Sequence, residues 1–434
     1  MMSLPLGRVG QSLGKLHGWL ATVKQPDGYA GPVAHWWRNS LLYTGPAIDW
    51  RYEGILDGYG TLFRKTGDER WLFCVQGGIT HVLRAQRQGG GYGVSSFERN
   101  PESLGTPHEA AATLGLLHVV DLLEDGTEVM EAARRNLQYL VDALWDPSSK
   151  GFNDRPGVLG RVPNKLATLA EALMMYSRLS RDETFLPYAL SALQDVARYV
   201  VTSGPITGAV HQYAPGAREG DGRFFPFYAA RCVPALVQGA SVFGRQEFSD
   251  TAVGITSFLV RSRGEDGSWP QIIYSNGRRA EDPRWIAGAA DILNALRVAR
   301  YEGDDWTASL QRLLDSQLPS GGFPTAEGFR NLRRFPLGPM SRRAVTEVPD
   351  WLDILPVVGW NDKVFRLLAN LLPEAEAIPE MALGHTDIPV RFNGLTARYQ
   401  EDAETISVTS GARELYRWRK GSAWAQTGFR VPSL

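Results

Sequence analysis

The chain has 434 residues, enough for two or three ordinary domains and for a large buried core. With 43% hydrophobic and 21% charged residues it reads as a folded globular protein, not a fibrous or disordered one. Its 46 basic and 47 acidic side chains leave a net charge of -1, which speaks against nucleic acid as a partner.

No apolar run approaches the roughly 20 residues that cross a bilayer, so no membrane span is expected. Met1 to Gly10 shows no apolar secretory core, and the expected compartment is the cytoplasm. The two cysteines, Cys74 and Cys232, lie in helix-like apolar stretches and provide neither a disulfide framework nor a cysteine zinc site. Aromatic residues are plentiful (13 Trp, 15 Tyr, 17 Phe), and many stand beside glycines in loop-like stretches. Such side chains serve equally as core filler and as platforms for sugar rings.

From the N-terminus onward the chain repeats itself. A glycine followed by a bulky residue occurs at Gly28-Tyr29, Gly91-Tyr92, Gly151-Phe152, Gly267-Ser268-Trp269 and Gly322-Phe323, with a degenerate copy at Gly208-Ala209. These glycines recur roughly every 55 to 63 residues. A stretch of helical period precedes each, as in Ile79 to Gln86 and Ser309 to Leu314. After each comes a loop, then a proline (Pro46, Pro107, Pro163, Pro226, Pro283, Pro349), then a second helix. Proline suits the first helical turn, where its missing N–H costs nothing. The second helices are rich in small and apolar residues, as in His108 to Leu117 and Asn164 to Leu173, and read as inner, buried helices. Polar turns such as Thr66-Gly67-Asp68-Glu69-Arg70 and Glu124-Asp125-Gly126-Thr127 link each inner helix to the next outer one.

Six helical hairpins cannot bury their apolar faces singly, so they stack. Copy number six predicts an all-α, closed (α/α)6 toroid over residues 1–374, with an open helical solenoid as the alternative. Beyond 374 the pattern changes. Thr396 to Gln400, Thr405 to Thr409 and Glu414 to Trp418 read as short strands, so residues 375–434 are expected to form a small β appendage.

The repeat predicts that the loops gather at the starts of the inner helices, where free N–H groups favour anions. Catalytic candidates there are Asp49, Glu53, His108 and Asp154. Asp49 and Glu53 are four apart and share a helix face, so one pKa is expected to rise. The alternative is that Asp49 caps the helix while Glu53 pairs with Arg51 or Arg231. His108 with Glu109 reads either as a base or acid at the mouth or as a helix-start charge pair. Asp154, in Asn153-Asp154-Arg155-Pro156-Gly157, carries a turn signal of its own. Substrate-binding candidates are His35, Trp36, Trp37, Arg38, Trp50, Tyr52, Tyr92, Lys165, Tyr228, Trp269, Arg284, Trp285, Asp350 and Trp351. No His-x-x-x-His, phosphate loop or dinucleotide fingerprint occurs, so no metal and no cofactor is expected.

The Thr66-Gly67-Asp68-Glu69-Arg70-Trp71-Leu72 turn resembles that of six-hairpin carbohydrate-active enzymes: unsaturated glucuronyl hydrolases, sugar 2-epimerases and toroid polysaccharide lyases. Gln317 to Phe323 and Asp266-Gly267-Ser268-Trp269 are similar instead to repeats of squalene and terpene cyclases. The Asp-x-Asp-Asp acid of the cyclases is absent. The resemblance implies an enzyme acting on an oligosaccharide, uronic-acid-containing ones included, as hydrolase, lyase or isomerase by general acid/base catalysis. A terpene-cyclase-like enzyme and a non-catalytic glycan- or peptide-binding toroid are the alternatives.

Overall fold

The structure, a computed structural model, describes residues 6–35, 40–44, 48–92, 106–157, 160–213, 222–280, 282–303, 305–328, 348–392 and 394–421. Six helices form the outer layer: α1 (Leu6–Val23), α3 (Glu69–Ala85), α5 (Thr127–Leu144), α7 (Leu186–Arg198), α9 (Gln246–Ser262) and α11 (Asp305–Asp315). Six form the inner layer: α2 (Arg51–Thr66), α4 (Ala110–Val119), α6 (Pro163–Ser180), α8 (Pro226–Phe243), α10 (Ala289–Val298) and α13 (Val358–Leu371). A short helix, α12 (Trp351–Ile354), stands between α11 and α13.

The inner helices pack in sequence, α2 on α4, α4 on α6, α6 on α8, α8 on α10 and α10 on α13. α13 then packs on α2, so the ring is closed and the solenoid alternative falls. The first outer helix, α1, packs against the last inner helix, α13. No helix is long and apolar enough to cross a membrane, among the described residues.

The Gly-aromatic loop is a wedge. Each aromatic is driven between the layers: Tyr29, Tyr92, Phe152, Trp269 and Phe323 are all buried. The glycine beneath it lets the loop touch the next outer helix round the ring. Gly90 has φ +95°, and a Cβ there would lie 2.3 Å from the Arg135 carbonyl of α5. Gly321, also at φ +95°, stands in the same way against the Lys15 carbonyl of α1, 2.4 Å from where its Cβ would be. That contact makes α1 the successor of α11.

The polar turns act as expected. Gly67 ends α2 in the left-handed region, and the Asp68 side chain accepts the Arg70 N–H to start α3. The prolines hold only in part. Pro163 and Pro226 are first residues of α6 and α8, and Pro107 opens the turn ahead of α4. In the last two copies the inner helix starts later, at Ala289 and Val358. There the residues after Pro283 pair as a short strand with Trp269–Pro270 and Ala326–Glu327, and Pro349 leads into α12. Pro46 lies outside the described residues. Cys74 is half-buried on α3, Cys232 is buried on α8, and both are free thiols.

The tail is a four-stranded antiparallel meander: Thr386–Phe392, Leu395–Glu401, Thr405–Ser410 and Arg413–Arg419. The first strand carries Pro389, which argues against a strand interior. It is tolerated because this is the edge strand of the meander, laddered to its successor, with an isolated bridge from Arg391 to Asp350 besides. Alternate residues such as Tyr399, Ile406, Val408 and Trp418 face inward and are buried. The sheet lies against the toroid, with Phe392 and Tyr416 packed on Trp351 at centroid distances of 4.9 and 5.1 Å. The carboxylate of Glu401 fastens the two parts. It accepts from Trp19 Nε1 at 2.8 Å and from Ser320 Oγ at 2.7 Å, and pairs with Lys420 Nζ at 2.9 Å.

Candidate active site

Side chains from the starts of the inner helices meet at one mouth. Trp50, just before α2, stacks on His108 in the turn that opens α4, with ring centroids 5.4 Å apart and planes 22° apart. Lys165, in the first turn of α6, pairs with Asp154 at 2.9 Å. Opposite them stands an aromatic wall. Phe227 at the start of α8 lies 5.0 Å from Trp285 and 5.4 Å from Trp360, and those two indoles are 4.9 Å apart. Tyr228 packs on Phe227 at 4.2 Å. Trp50, His108, Lys165, Asp154, Tyr228 and Trp360 are only partly buried. The mouth is therefore two-sided, polar at α2, α4 and α6 and aromatic at α8, α10 and α13.

Below the mouth the ring is filled by charge. Glu53 pairs with Arg231 at 3.2 Å, with Arg366, and at longer range with Lys363 at 3.9 Å. Arg231 also holds Glu171 at 2.8 Å, and Arg366 holds Asp291 at 2.9 Å. Burial alone would raise the Glu53 pKa. Arg231, Arg366 and Lys363 more than reverse it and hold the carboxylate well below its usual range. Asp362 behaves oppositely. Burial pushes it up to about 7, against the pull of its neighbour Lys363.

His108 is held neutral. Burial first, then the cations Lys165, Arg231 and Lys363, lower its pKa to about 3, while Glu53 opposes them. A neutral imidazole has one nitrogen to accept and one to donate.

Several expected site residues lie elsewhere. Asp49 and Glu53 do not act as a carboxylate pair. Asp49 is buried and bound to Arg51 through both oxygens, at 2.7 and 2.9 Å, and Arg51 in turn donates to the Tyr29 carbonyl. Its neighbour's pKa falls instead of rising, for the reason just given. Tyr52 is fully buried, its hydroxyl 3.2 Å from His81 Nδ1 between the helix layers. Tyr92 and Trp269 are the buried wedges of their loops. The Tyr92 hydroxyl bonds Thr113 at 2.8 Å and the Trp269 indole donates to the Leu259 carbonyl at 2.9 Å, so neither is a sugar platform. Trp351 is buried beneath the tail sheet, and Asp350 caps α12 through the Leu352 N–H. Arg284 is engaged by Asp266 at 2.6 Å. Glu109 is buried and accepts from the Tyr92 N–H and from Asn136, each at 3.0 Å, which anchors the turn carrying His108. His35 belongs to the strand Gly31–His35, and Trp36, Trp37 and Arg38 lie outside the described residues.

Trp360, Lys363, Arg366, Glu171 and Asp291 were not among the expected site residues. A signal existed in α13: Asp362, Lys363 and Arg366 are three charges inside an otherwise uncharged inner helix. Isolated charges on a helix usually mark its wet face, and here they mark the ring centre.

No family model matches the chain, and no curated protein matches its sequence. Solved structures do match. A D-mannose isomerase aligns at 12% identity and a TM-score of 0.62, covering 86% of this chain and 99% of its own. Cellobiose 2-epimerase from Bacillus thermoamylovorans aligns at 12% and 0.60, covering 84% and 98%. An unsaturated glucuronyl hydrolase from Streptococcus agalactiae aligns at 11% and 0.59, covering 86% and 94%. The chain is an (α/α)6 toroid. At these identities the likeness is one of fold, and the chemistry has to be argued from the side chains. Among the described residues no cluster of His, Cys, Asp or Glu could hold a metal ion.

Proposed function

We propose that this protein is a carbohydrate-active enzyme that processes an oligosaccharide at the toroid mouth, with His108 as its proton-transfer group. The observation that carries the reading is the Trp50–His108 stack, partly exposed beside the Lys165–Asp154 pair. A sugar ring needs an aromatic face, fixed hydrogen-bonding groups and a group that can exchange a proton, and this mouth presents all three. The isomerase, epimerase and hydrolase that share the fold act on sugars, which accords with it.

The electrostatics favour one reaction class. Glycoside hydrolysis uses two carboxyl groups, one with a raised pKa. Glu53, Glu171 and Asp154 are all ion-paired with cations instead, and Asp362, the carboxyl that burial raises, is fully buried against Lys363 below the mouth. A neutral imidazole suits removal of a proton from carbon, as in an epimerase, isomerase or lyase. At a pKa of about 3 His108 is by itself a weak base. A substrate carboxylate placed against Lys165 would offset that cation and raise the imidazole toward the pH at which a base works. The substrate class that fits best is therefore a uronic-acid-containing oligosaccharide. The polar half of the mouth counts against a hydrocarbon cyclase, whose cation needs aromatic walls all round.

Incubating the protein with neutral and uronic oligosaccharides in D2O tests this by NMR. Either deuterium should enter product at carbon, as in an epimerase or isomerase, or an unsaturated sugar should form, as in a lyase, and His108→Asn should stop both. Turnover with neither outcome would point to hydrolysis, and an undiminished His108→Asn enzyme would remove the assignment.

A further inference from the structure

The last inner helix, α13, grips Trp50 at two points. The Gly359 carbonyl accepts the indole Nε1–H at 2.9 Å, and Lys363 Nζ donates to the Trp50 carbonyl at 2.8 Å. Gly359 and Lys363 are four residues apart, so they stand on one face of the helix, one turn from each other. The smaller of them is small for a reason: a Cβ at Gly359 would lie 2.7 Å from the indole nitrogen. The larger is buried and anchored in its turn, 2.7 Å from Asp362 Oδ2 and 3.9 Å from Glu53 Oε2. Shifting Trp50 would therefore break a bond to a buried ammonium ion, and such a loss is costly because water does not replace it.

We propose that Gly359 and Lys363 are positioning residues for the reaction at the mouth, fixing the Trp50 indole on which His108 stacks. Neither is placed to touch the sugar, and both act through Trp50. The Pro107–Glu109 turn carries His108, and α13 decides what lies against its face. Lys363 has a second effect, because its charge reaches the imidazole along with Lys165 from α6 and Arg231 from α8, opposed by Glu53 from α2. One side chain thus contributes to both the orientation and the proton affinity of His108. This inference rests on the reading of Trp50 and His108 as the reacting end of the site.

The test is an NMR spectrum of the full chain with labelled histidine, in which His108→Gln assigns the His108 signal and Trp50→Phe shows what the indole's ring current adds. Gly359→Ala and the charge-neutral pair Asp362→Asn with Lys363→Met should each move the His108 signal away from its wild-type position. On a turned-over oligosaccharide, both should lower kcat more than they change KM. If Gly359→Ala folds and the signal stays at its wild-type position, the inference is overturned, even if the paired variant fails to fold. A Trp50→Phe variant with an unmoved signal overturns it as well. The spectrum needs no substrate, so a failure of the carbohydrate reading would appear separately, as wild-type protein that turns over no sugar.

Discussion

Glu53 on α2 and Arg231 on α8 meet at 3.2 Å, although α2 and α8 are opposite members of the six-helix ring. Their contact bridges the toroid and turns what would be a pore into a cup. Arg366, Lys363, Glu171 and Asp291 surround the pair, so its charges are shared among five inner helices. Removing one member of a buried ion pair strands the others.

Glu53→Ala should therefore cost about 3–5 kcal/mol, since it leaves three buried cations short of a counter-charge. Arg231→Met should cost less, because Arg366 and Lys363 still face Glu53. Denaturant unfolding of both variants gives the order, and equal or reversed losses would mean that the floor is not held by Glu53.

Glu401 is likewise fully buried, between the tail sheet and the toroid, with Trp19, Ser320, Tyr399 and Lys420 around it. Glu401→Ala should cost about 3–5 kcal/mol and loosen the tail. Limited proteolysis should then cut first within residues 375–421. Unchanged protection there would show that the sheet is held by its apolar face alone.

Histidine burial sets the acid limit of stability. Burial, then Arg70 and Lys24, lower His17 to about 4, and burial with Lys24 lowers His81 to about 4. The unfolded chain binds these protons below about pH 6.5 and the folded chain does not. Their contribution is thus complete above pH 6.5 and falls away as pH drops toward 4. Asp362, raised to about 7, has the opposite sign and weakens the fold as pH rises from about 4 to 7. Tm measured between pH 4 and 7 should climb with a shallower slope in His17→Gln and His81→Gln. Asp362→Asn should steepen it.

Asp49 and His108 should separate in mutagenesis. Asp49→Asn breaks the buried pairing with Arg51 and should lower Tm. His108→Asn alters a partly exposed group and should leave Tm close to wild type while turnover is lost. Two variants with the same Tm and the same activity would undo this division.

The repeat was legible because it is local physics. A glycine at positive φ, an aromatic wedge after it and a capping turn each have a short sequence signature, and six copies imply a ring. His108 and Lys165 were legible for the same reason, since a residue just after the repeat's loop must lie at an inner-helix start. The three strands read in the tail came from alternation, and the fourth was hidden by Pro389. What the tertiary structure decided was partnership. Nothing in the order of residues says that Glu53 and Arg366, more than 300 positions apart, form a buried ion pair, or that Gly359 and Lys363 clasp Trp50. Those contacts exist because the ring closes α13 onto α2. Once it does, charges that would mark a solvated helix face become the floor of the site, and conspicuous aromatics such as Trp269 and Trp351 are taken up as packing.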